Sequence, residues 1–532
     1  MKTTRNSVWV AVMLVLVLIV TACGNNAAPA NTAAPSNSGS SSQSSGASET
    51  PGAVTTEEAG PPTEISVFLN QQTPEVLPAD NVIVKEIEKR TNTKLNLIWI
   101  AQNTMTEKTK ITLSSGDIPD LMLIGSPTDP LYVTMARQGA FWDLTPYLAE
   151  YEHIGAIPED IWNNLKVDGV NFGLPRVRPL DGGGQMPMLR KDWLDKLNLQ
   201  MPETMDDMYA VMKAFTEQDP DGNGAADTVG LTGQVDPDGM GNLTWVEQVF
   251  NHTNGANNIL WKLVDGKLVP TVFEQGTRDA LEWLRNAYND KILAQDFAIM
   301  KYSQSRDLLM GNKAGILGSA INPQWLFTDA IRKIDPSGDM LPVTHLISPS
   351  GEKWATKDSG HLGMFVIPKT VSEEKLKKIL AFMDYGYSDE GSDLAIYGIE
   401  GTHYTVTDGF KTATEQAAAD MVGQNILGTM FGKFEKYQRA FLTGIPKDMY
   451  ERNVAVIDER AEISIPNPAE GIVSDTWSML GADFTKKIQD MKTKVILGKE
   501  SFEQWDKFVA GLQADANFQK IIDEMNTGYQ NK

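Results

Sequence analysis

Asp120-Leu-Met-Leu-Ile124 is a short apolar run bounded by turn residues, a pattern that suits a parallel strand buried on both faces. Upstream, Glu64-Ile-Ser-Val-Phe-Leu69 and Lys94-Leu-Asn-Leu-Ile-Trp-Ile100 read as two further strands. Between them, residues 83–90 carry Ile83, Val84 and Ile87 on one helical face, and residues 106–115 form a second helical stretch closed by Gly116. Strands alternating with helices imply βαβ units, so an α/β fold is expected. Downstream the pattern is richer in helix, over 189–196, 205–216, 276–289, 373–385 and 502–526. No repeat recurs at a spacing of 20–50 residues, the range typical of solenoids.

The chain has 532 residues, too many for one ordinary core, so two domain-sized units or lobes are expected. A single Cys excludes an intramolecular disulfide framework and any multi-cysteine metal site. A net charge of −22 argues against nucleic acid as a partner, since phosphate binding needs a cationic face.

The N-terminal residues read as an address. Lys2 and Arg5 precede 13 uninterrupted apolar residues, Val8 to Val20, a run shorter than a spanning helix needs and typical of a signal peptide. It ends in Val20-Thr21-Ala22-Cys23-Gly24, which resembles the lipobox of bacterial lipoproteins. That resemblance implies removal of residues 1–22 and lipid attachment at Cys23. Residues 24–62 contain 8 Ser, 8 Ala and 5 Pro and no aromatic residue. Such a stretch has too little apolar surface to offset ordering entropy, so 23–62 is expected to be a lipidated tether. The protein is then anchored to the outer face of the cell membrane through lipid, without spanning it.

Six blocks in the body carry a further resemblance. They are Leu113-Ser-Ser-Gly-Asp-Ile-Pro-Asp-Leu121, Gly139-Ala-Phe-Trp-Asp-Leu-Thr-Pro-Tyr147, Phe172-Gly-Leu-Pro175, Leu189-Arg-Lys-Asp-Trp-Leu-Asp-Lys-Leu197, Pro202-Glu-Thr-Met-Asp-Asp207 and Tyr397-Gly-Ile-Glu-Gly-Thr-His-Tyr404. In this order they resemble the extracellular solute-binding lipoproteins (family 1) of bacterial carbohydrate ABC importers, in the branch that includes alginate-oligosaccharide-binding proteins. The resemblance implies a periplasmic-binding-protein-like (type II) α/β fold with two interleaved lobes, a hinge and an interlobe ligand cleft. The lobe segments it implies are 63–181 with 345–428, and 188–341 with 429–532. The first crossing is expected near Gly182-Gly183-Gly184, where the backbone is permissive.

Asp219-Pro-Asp-Gly-Asn-Gly-Ala-Ala-Asp-Thr-Val-Gly230 matches most of an EF-hand-type calcium loop. Oxygen ligands would come from Asp219, Asp221 and Asn223, a carbonyl from Ala225, and a further carboxylate from Asp227. Gly230 stands where a sensor loop has a bidentate Glu, so a structural calcium ion is expected rather than a sensor. The similar family has a comparable loop here; an Asx-rich turn without metal is the alternative.

Sugars present an apolar face and a rim of hydroxyls, so a binder needs aromatic platforms and polar side chains. Trp245, Trp325, Trp354 and Tyr404 are the aromatic candidates, each weighed against ordinary packing; Trp142 and Trp193 are read as packing. Asn70, Gln71 and Gln72 follow the first strand, where ligands of open α/β sheets sit. Arg176 and Arg178 adjoin the first crossing and suit a carboxylate or a hydroxyl pair, or else an ion pair between lobes. His403 is a candidate donor, with packing the alternative.

The five His show no short metal-ligand spacing, and neither a Gly-x-Ser-x-Gly elbow nor a phosphate loop occurs. The resemblance implies a non-enzymatic receptor, expected to be monomeric, that captures an oligosaccharide for importer permease subunits. The rival readings are a surface-anchored polysaccharide-degrading enzyme and a peptide- or signal-binding lipoprotein of the same fold.

Overall fold

The computed structural model describes residues 60–71, 76–101, 104–255, 259–407, 409–422 and 427–532. The signal segment, Cys23, the tether up to residue 59 and Gln72 lie outside the described residues.

The first sheet has five strands, in the order Thr93–Ala101, Thr63–Gln71, Leu121–Ile124, His361–Val366 and Gly173–Val177. Thr63–Gln71 pairs in parallel with both Thr93–Ala101 and Leu121–Ile124. Ile65, Val67, Phe68 and Leu69 and all four residues of Leu121–Ile124 are buried, as a sheet covered on both faces requires. The helix Val82–Thr91 starts where the Asn81 side chain accepts hydrogen bonds from the Ile83 and Val84 N–H groups. It stops at Asn92, which turns left-handed at φ 49°. The α/β expectation holds.

His361–Val366 enters this sheet antiparallel, between two strands far earlier in the chain. The second sheet is ordered Met340–Pro342, Met186–Arg190, Ala314–Ser319, Val229–Thr232, with Met186–Arg190 antiparallel to Ala314–Ser319. The run expected to be helical from Leu189 is strand until Arg190, and helix only over Lys191–Leu197. The helix expected over 502–526 is two, Phe502–Ala514 and Ala516–Gln530. The Asp515 carboxylate caps the second by accepting from the Asn517 and Phe518 N–H groups.

Two main hydrophobic cores result. One draws on residues 65–180 and 364–431, the other on 186–355 and 472–525. Leu346, Trp354 and Ala355, expected in the first lobe, pack in the second core, because Lys353–Thr356 pairs with Leu346–Ile347 and Ser464–Ile465. Met430 and Phe431, expected in the second lobe, pack in the first core against Phe382.

The chain segments that pass between the cores run side by side. Arg178 N–H donates to Gly360 O at 2.8 Å, Asp358 N–H to Leu180 O at 2.7 Å, Ile321 N–H to Gly182 O at 3.1 Å and Lys357 N–H to Ile465 O at 3.0 Å. Gly183 allows this approach: a Cβ there would lie 1.6 Å from Asp358 Oδ2.

Candidate functional site

Strand direction selects one edge of each sheet. Thr63–Gln71, Leu121–Ile124 and Gly173–Val177 all run the same way, so Asn70–Gln71, Gly125 and Arg178 fall at one carboxyl edge. In the second sheet Val229–Thr232 and Ala314–Ser319 are parallel, which brings Gln234 and Ile321 toward a second such edge. The Ile321–Gly182 and Arg178–Gly360 hydrogen bonds join both edges to the same crossings. Open α/β sheets bind ligands outside their carboxyl edges.

Arg176 lies in the strand Gly173–Val177 and Arg178 directly follows it. Arg176 is 5 % exposed and its Nε has no hydrogen-bond partner. Arg178 donates from Nη1 to its neighbour's carbonyl, Val177 O, at 2.8 Å. Among the described residues, no carboxylate lies within 4.0 Å of either guanidinium. Burial pulls both down to about 10; Arg178 adds to the effect on Arg176, and Arg439 to that on Arg178. Arg439 arrives on the short helix Gln438–Ala440 and donates to Asp358 Oδ2 at 2.8 Å. Burial raises the Asp358 carboxyl, against the pull of Arg439. Arg460 is spent on structure, donating to Val343 O at 2.6 Å and Thr344 O at 3.3 Å.

One cavity adjoins the crossings and a second lies among residues 392–451. One, of about 710 Å³, is lined by amides from both cores, including Asn163, Gln185, Gln248 and Asn467. The other, of about 820 Å³, is aromatic, with Tyr397, Tyr404, Phe410, Tyr437, Phe441 and Tyr450 in its wall. Phe410 stacks on Phe441 with ring centres 5.6 Å apart, and Tyr450 meets Phe410 edge-on. Lys411 pairs with Asp393 and lies over the Tyr397 ring at 4.6 Å.

Asn70 is buried at the end of its strand and Gln71 is half-buried beside it. Tyr404 lines the aromatic cavity against Tyr397, with ring centres 5.9 Å apart. Trp325 is half-buried on the helix Gln324–Arg332, with the Arg332 guanidinium 5.9 Å from its ring. Three candidates are packing instead. Trp245 is fully buried, edge-on to Trp283, and Trp354 is fully buried with Nε1 donating to Thr253 O at 2.7 Å; neither has a free face for a sugar. His403 is 1 % exposed, accepts from Ile399 N–H on Nδ1 at 2.9 Å and pairs with Asp420 through Nε2 at 3.0 Å. Both ring nitrogens are used. Arg439, Asp358 and the aromatic cavity went unrecognised in the sequence. The one local signal is Tyr437-Gln-Arg-Ala-Phe441, a cation between two aromatic residues.

In the loop 219–227, Asp219 adopts a positive φ of 46° and accepts from the Asn223 and Gly224 N–H groups. Asn223 Nδ2 donates to Asp221 Oδ2 at 2.8 Å and Asp227 Oδ1 at 3.1 Å, while its Oδ1 accepts from Ala225 N–H. Lys313 Nζ lies 3.3 Å from Asp221 Oδ2 and 2.6 Å from Asp227 Oδ2. That ammonium, then Asn223, holds the Asp227 carboxyl below its usual range. Among the described residues, no three His, Cys, Asp or Glu side chains group closely enough to hold a metal ion. The donors are the hard oxygens calcium prefers, and a built-in cation already rests against two of them. A glutamate cannot replace Gly230, whose Cβ would lie 2.2 Å from Met212 O.

Among the described residues, no helix is long and apolar enough to cross a membrane. The family described as bacterial extracellular solute-binding protein matches residues 71–393. The polygalacturonan/rhamnogalacturonan-binding protein YtcQ of Bacillus subtilis (strain 168) is 30% identical over 489 residues, covering 89% of this chain and 93% of its own. Lipoprotein LipO of the same organism is 29% identical over 453 residues, covering 84% and 88%. The crystal structure of the alginate-binding protein AlgQ2 without calcium ion superposes with a TM-score of 0.63 at 19% identity, covering 89% of this chain and 99% of that one. With one main sheet in each core, edges that converge on shared crossings, and a family match over most of its folded body, this chain belongs to the bacterial extracellular solute-binding proteins.

Proposed function

We propose that this chain is a lipid-anchored receptor that captures an oligosaccharide between its two cores and hands it to the permease subunits of an ABC importer. The observation that carries the reading is the convergence of both carboxyl edges on one set of crossings, with unpaired polar groups there. The cores would act as lobes that close about the crossings, so ligand binding shifts an open–closed equilibrium. A sugar as the ligand is supported by the similarity to YtcQ. Lipid on Cys23 is supported by the similarity to LipO and by the lipobox-like residues. Asn70, Gln71, Gln72, Arg176, Arg178, Trp325 and Tyr404 remain the proposed contacts, and the chain acts as a monomer without turning over its ligand.

The test is calorimetry of the full chain against oligosaccharide and peptide panels, with the saccharide recovered afterward. Saturable binding of a saccharide recovered intact is expected. Shortened products would make the chain an enzyme, and binding confined to peptides would replace the ligand class.

Calcium in the loop 219–227 is proposed as structural, with Asp219, Asp221, Asn223, Asp227 and the Ala225 carbonyl as ligands and Lys313 displaced from Asp221 and Asp227. A chelator is then expected to lower the melting temperature, an effect absent in Asp221→Ala. Identical melting with calcium and with chelator would leave Lys313 as the loop's cation.

A further inference from the structure

We infer that the captured saccharide is acidic, and that Arg176 and Arg178, with Arg439 beside them, receive its carboxylate. This rests on the oligosaccharide-receptor reading above and narrows it.

Three buried or half-buried arginines elsewhere in the chain are compensated, whereas half-buried Arg306 lies over the Tyr302 and Phe327 rings with its Nε unpartnered. Arg190 pairs with Asp192, Arg452 with both oxygens of Asp339, and Arg460 with two backbone carbonyls. Arg176 and Arg178 differ. Arg176 is 5 % exposed with its Nε unpartnered; the Arg178 guanidinium has only the carbonyl beside it. This happens in a chain with 69 acidic side chains against 47 basic ones, where a carboxylate partner was readily available to the fold. Charges removed from water without a partner are costly, so an uncompensated pair at a functional edge points to a partner that arrives from outside.

The position fits. Both guanidiniums sit where Gly173–Val177 ends and the first crossing begins. Asp358, whose N–H is bonded to Leu180 O, holds one arm of Arg439 at 2.8 Å and leaves its Nε without a partner. Arg176, Arg178 and Arg439 thus lie together, and of the three only Arg439 has a carboxylate within ion-pair distance. A guanidinium presents planar, paired N–H donors that match the two oxygens of a carboxylate, as in a uronic acid, better than they match scattered hydroxyls. The overall negative charge of the protein opposes long-range attraction of such a ligand, so selectivity has to come from these local groups.

The experiment titrates the full chain with oligomers of galacturonate, mannuronate and glucuronate, each beside its methyl ester, and with neutral oligosaccharides of equal length. Methyl esterification removes the charge and keeps the ring. At least one acid is expected to bind about tenfold or more tightly than its ester, the scale of a charge-assisted hydrogen bond. In Arg176→Gln and Arg178→Gln that ratio is expected to fall toward one, with part of it kept in Arg178→Lys. Equal binding of acids and esters by the unaltered chain overturns the inference, as does saturable binding of neutral sugars alone; either result leaves the receptor reading standing. If no saccharide binds, acidic or neutral, the receptor reading falls and this inference with it. Because the ratio is first read on the unaltered chain, a variant that fails to fold cannot protect the inference.

Discussion

Glu247 and Lys492 are both buried in the second core, with Lys492 Nζ 2.6 Å from Glu247 Oε2. The other carboxylate oxygen accepts from the Thr271 and Thr277 hydroxyls, so the acid is fully used. Lys492→Met is expected to cost about 3–5 kcal/mol in urea unfolding, because it strands a buried charge. A cost near zero would mean that water reaches the pair. Asp120 works at the edge of the first core, accepting from Ser66 N–H and Oγ at 2.8 Å and from Lys375 Nζ at 2.7 Å. Burial pulls its pKa up, but Lys375 and Ser66 outweigh that and leave it lowered. A lowered carboxylate stabilises the fold above its unfolded pKa, about 3.9, and the contribution is lost as pH falls through the folded value. Asp120→Asn is therefore expected to be less stable than the parent at neutral pH and to converge with it in acid, measured by melting across pH. At this scale the sequence was a partial guide. Arg176 and Arg178, which stay proposed contacts, stand out in the sequence as two arginines beside a Gly- and Pro-marked strand end. Trp245, Trp354 and His403 were not separable from ligand contacts, because their burial is set by partners such as Trp283, Thr253 and Asp420, distant in the chain or around a turn.

Among the elements, the strands and helices from Thr63 to Ile124 were legible because alternation and capping are local properties. The strand Met186–Arg190 was hidden, since its buried apolar residues run directly into the helix that follows. The break at Asp515 was hidden too, because a single capping aspartate in a long helical pattern interrupts little of its periodicity. The crossings are the element on which the mechanism depends. Gly183→Ala is expected to force Asp358 off Arg439 and to destabilise the fold by about 1–3 kcal/mol, as overpacking does. Unfolding curves check the cost, and an unchanged midpoint would show that the two crossings separate freely. Lys313→Met is expected to weaken the loop 219–227 in the presence of chelator and to matter less in calcium, if the ion and the ammonium share Asp221 and Asp227. Equal losses in both conditions would assign Lys313 a role independent of the ion.

For the whole molecule, length alone suggested two units, and the blocks from Leu113 to Tyr404 suggested that they interleave. The interleaving itself is a matter of long-range pairing. His361–Val366 joins a sheet whose other strands all end before residue 178, and no local pattern encodes that return. The placement of Lys353–Thr356 in the second core shows the same limit. The two cores are proposed to close on a captured oligosaccharide. The chain's only cysteine is Cys23, the proposed lipid attachment point, so in a Cys23→Ser background spin labels can be placed without competing thiols. Lys89, 77% exposed on Val82–Thr91, and Lys213, 50% exposed on Met205–Glu217, offer one site on each core. The decisive measurement is the distance distribution between labels in the full-length Lys89→Cys/Lys213→Cys protein, without ligand and at saturation with an oligosaccharide that binds. The distribution is expected to shorten and narrow on saturation; an unchanged distribution while calorimetry registers binding would contradict capture by closure.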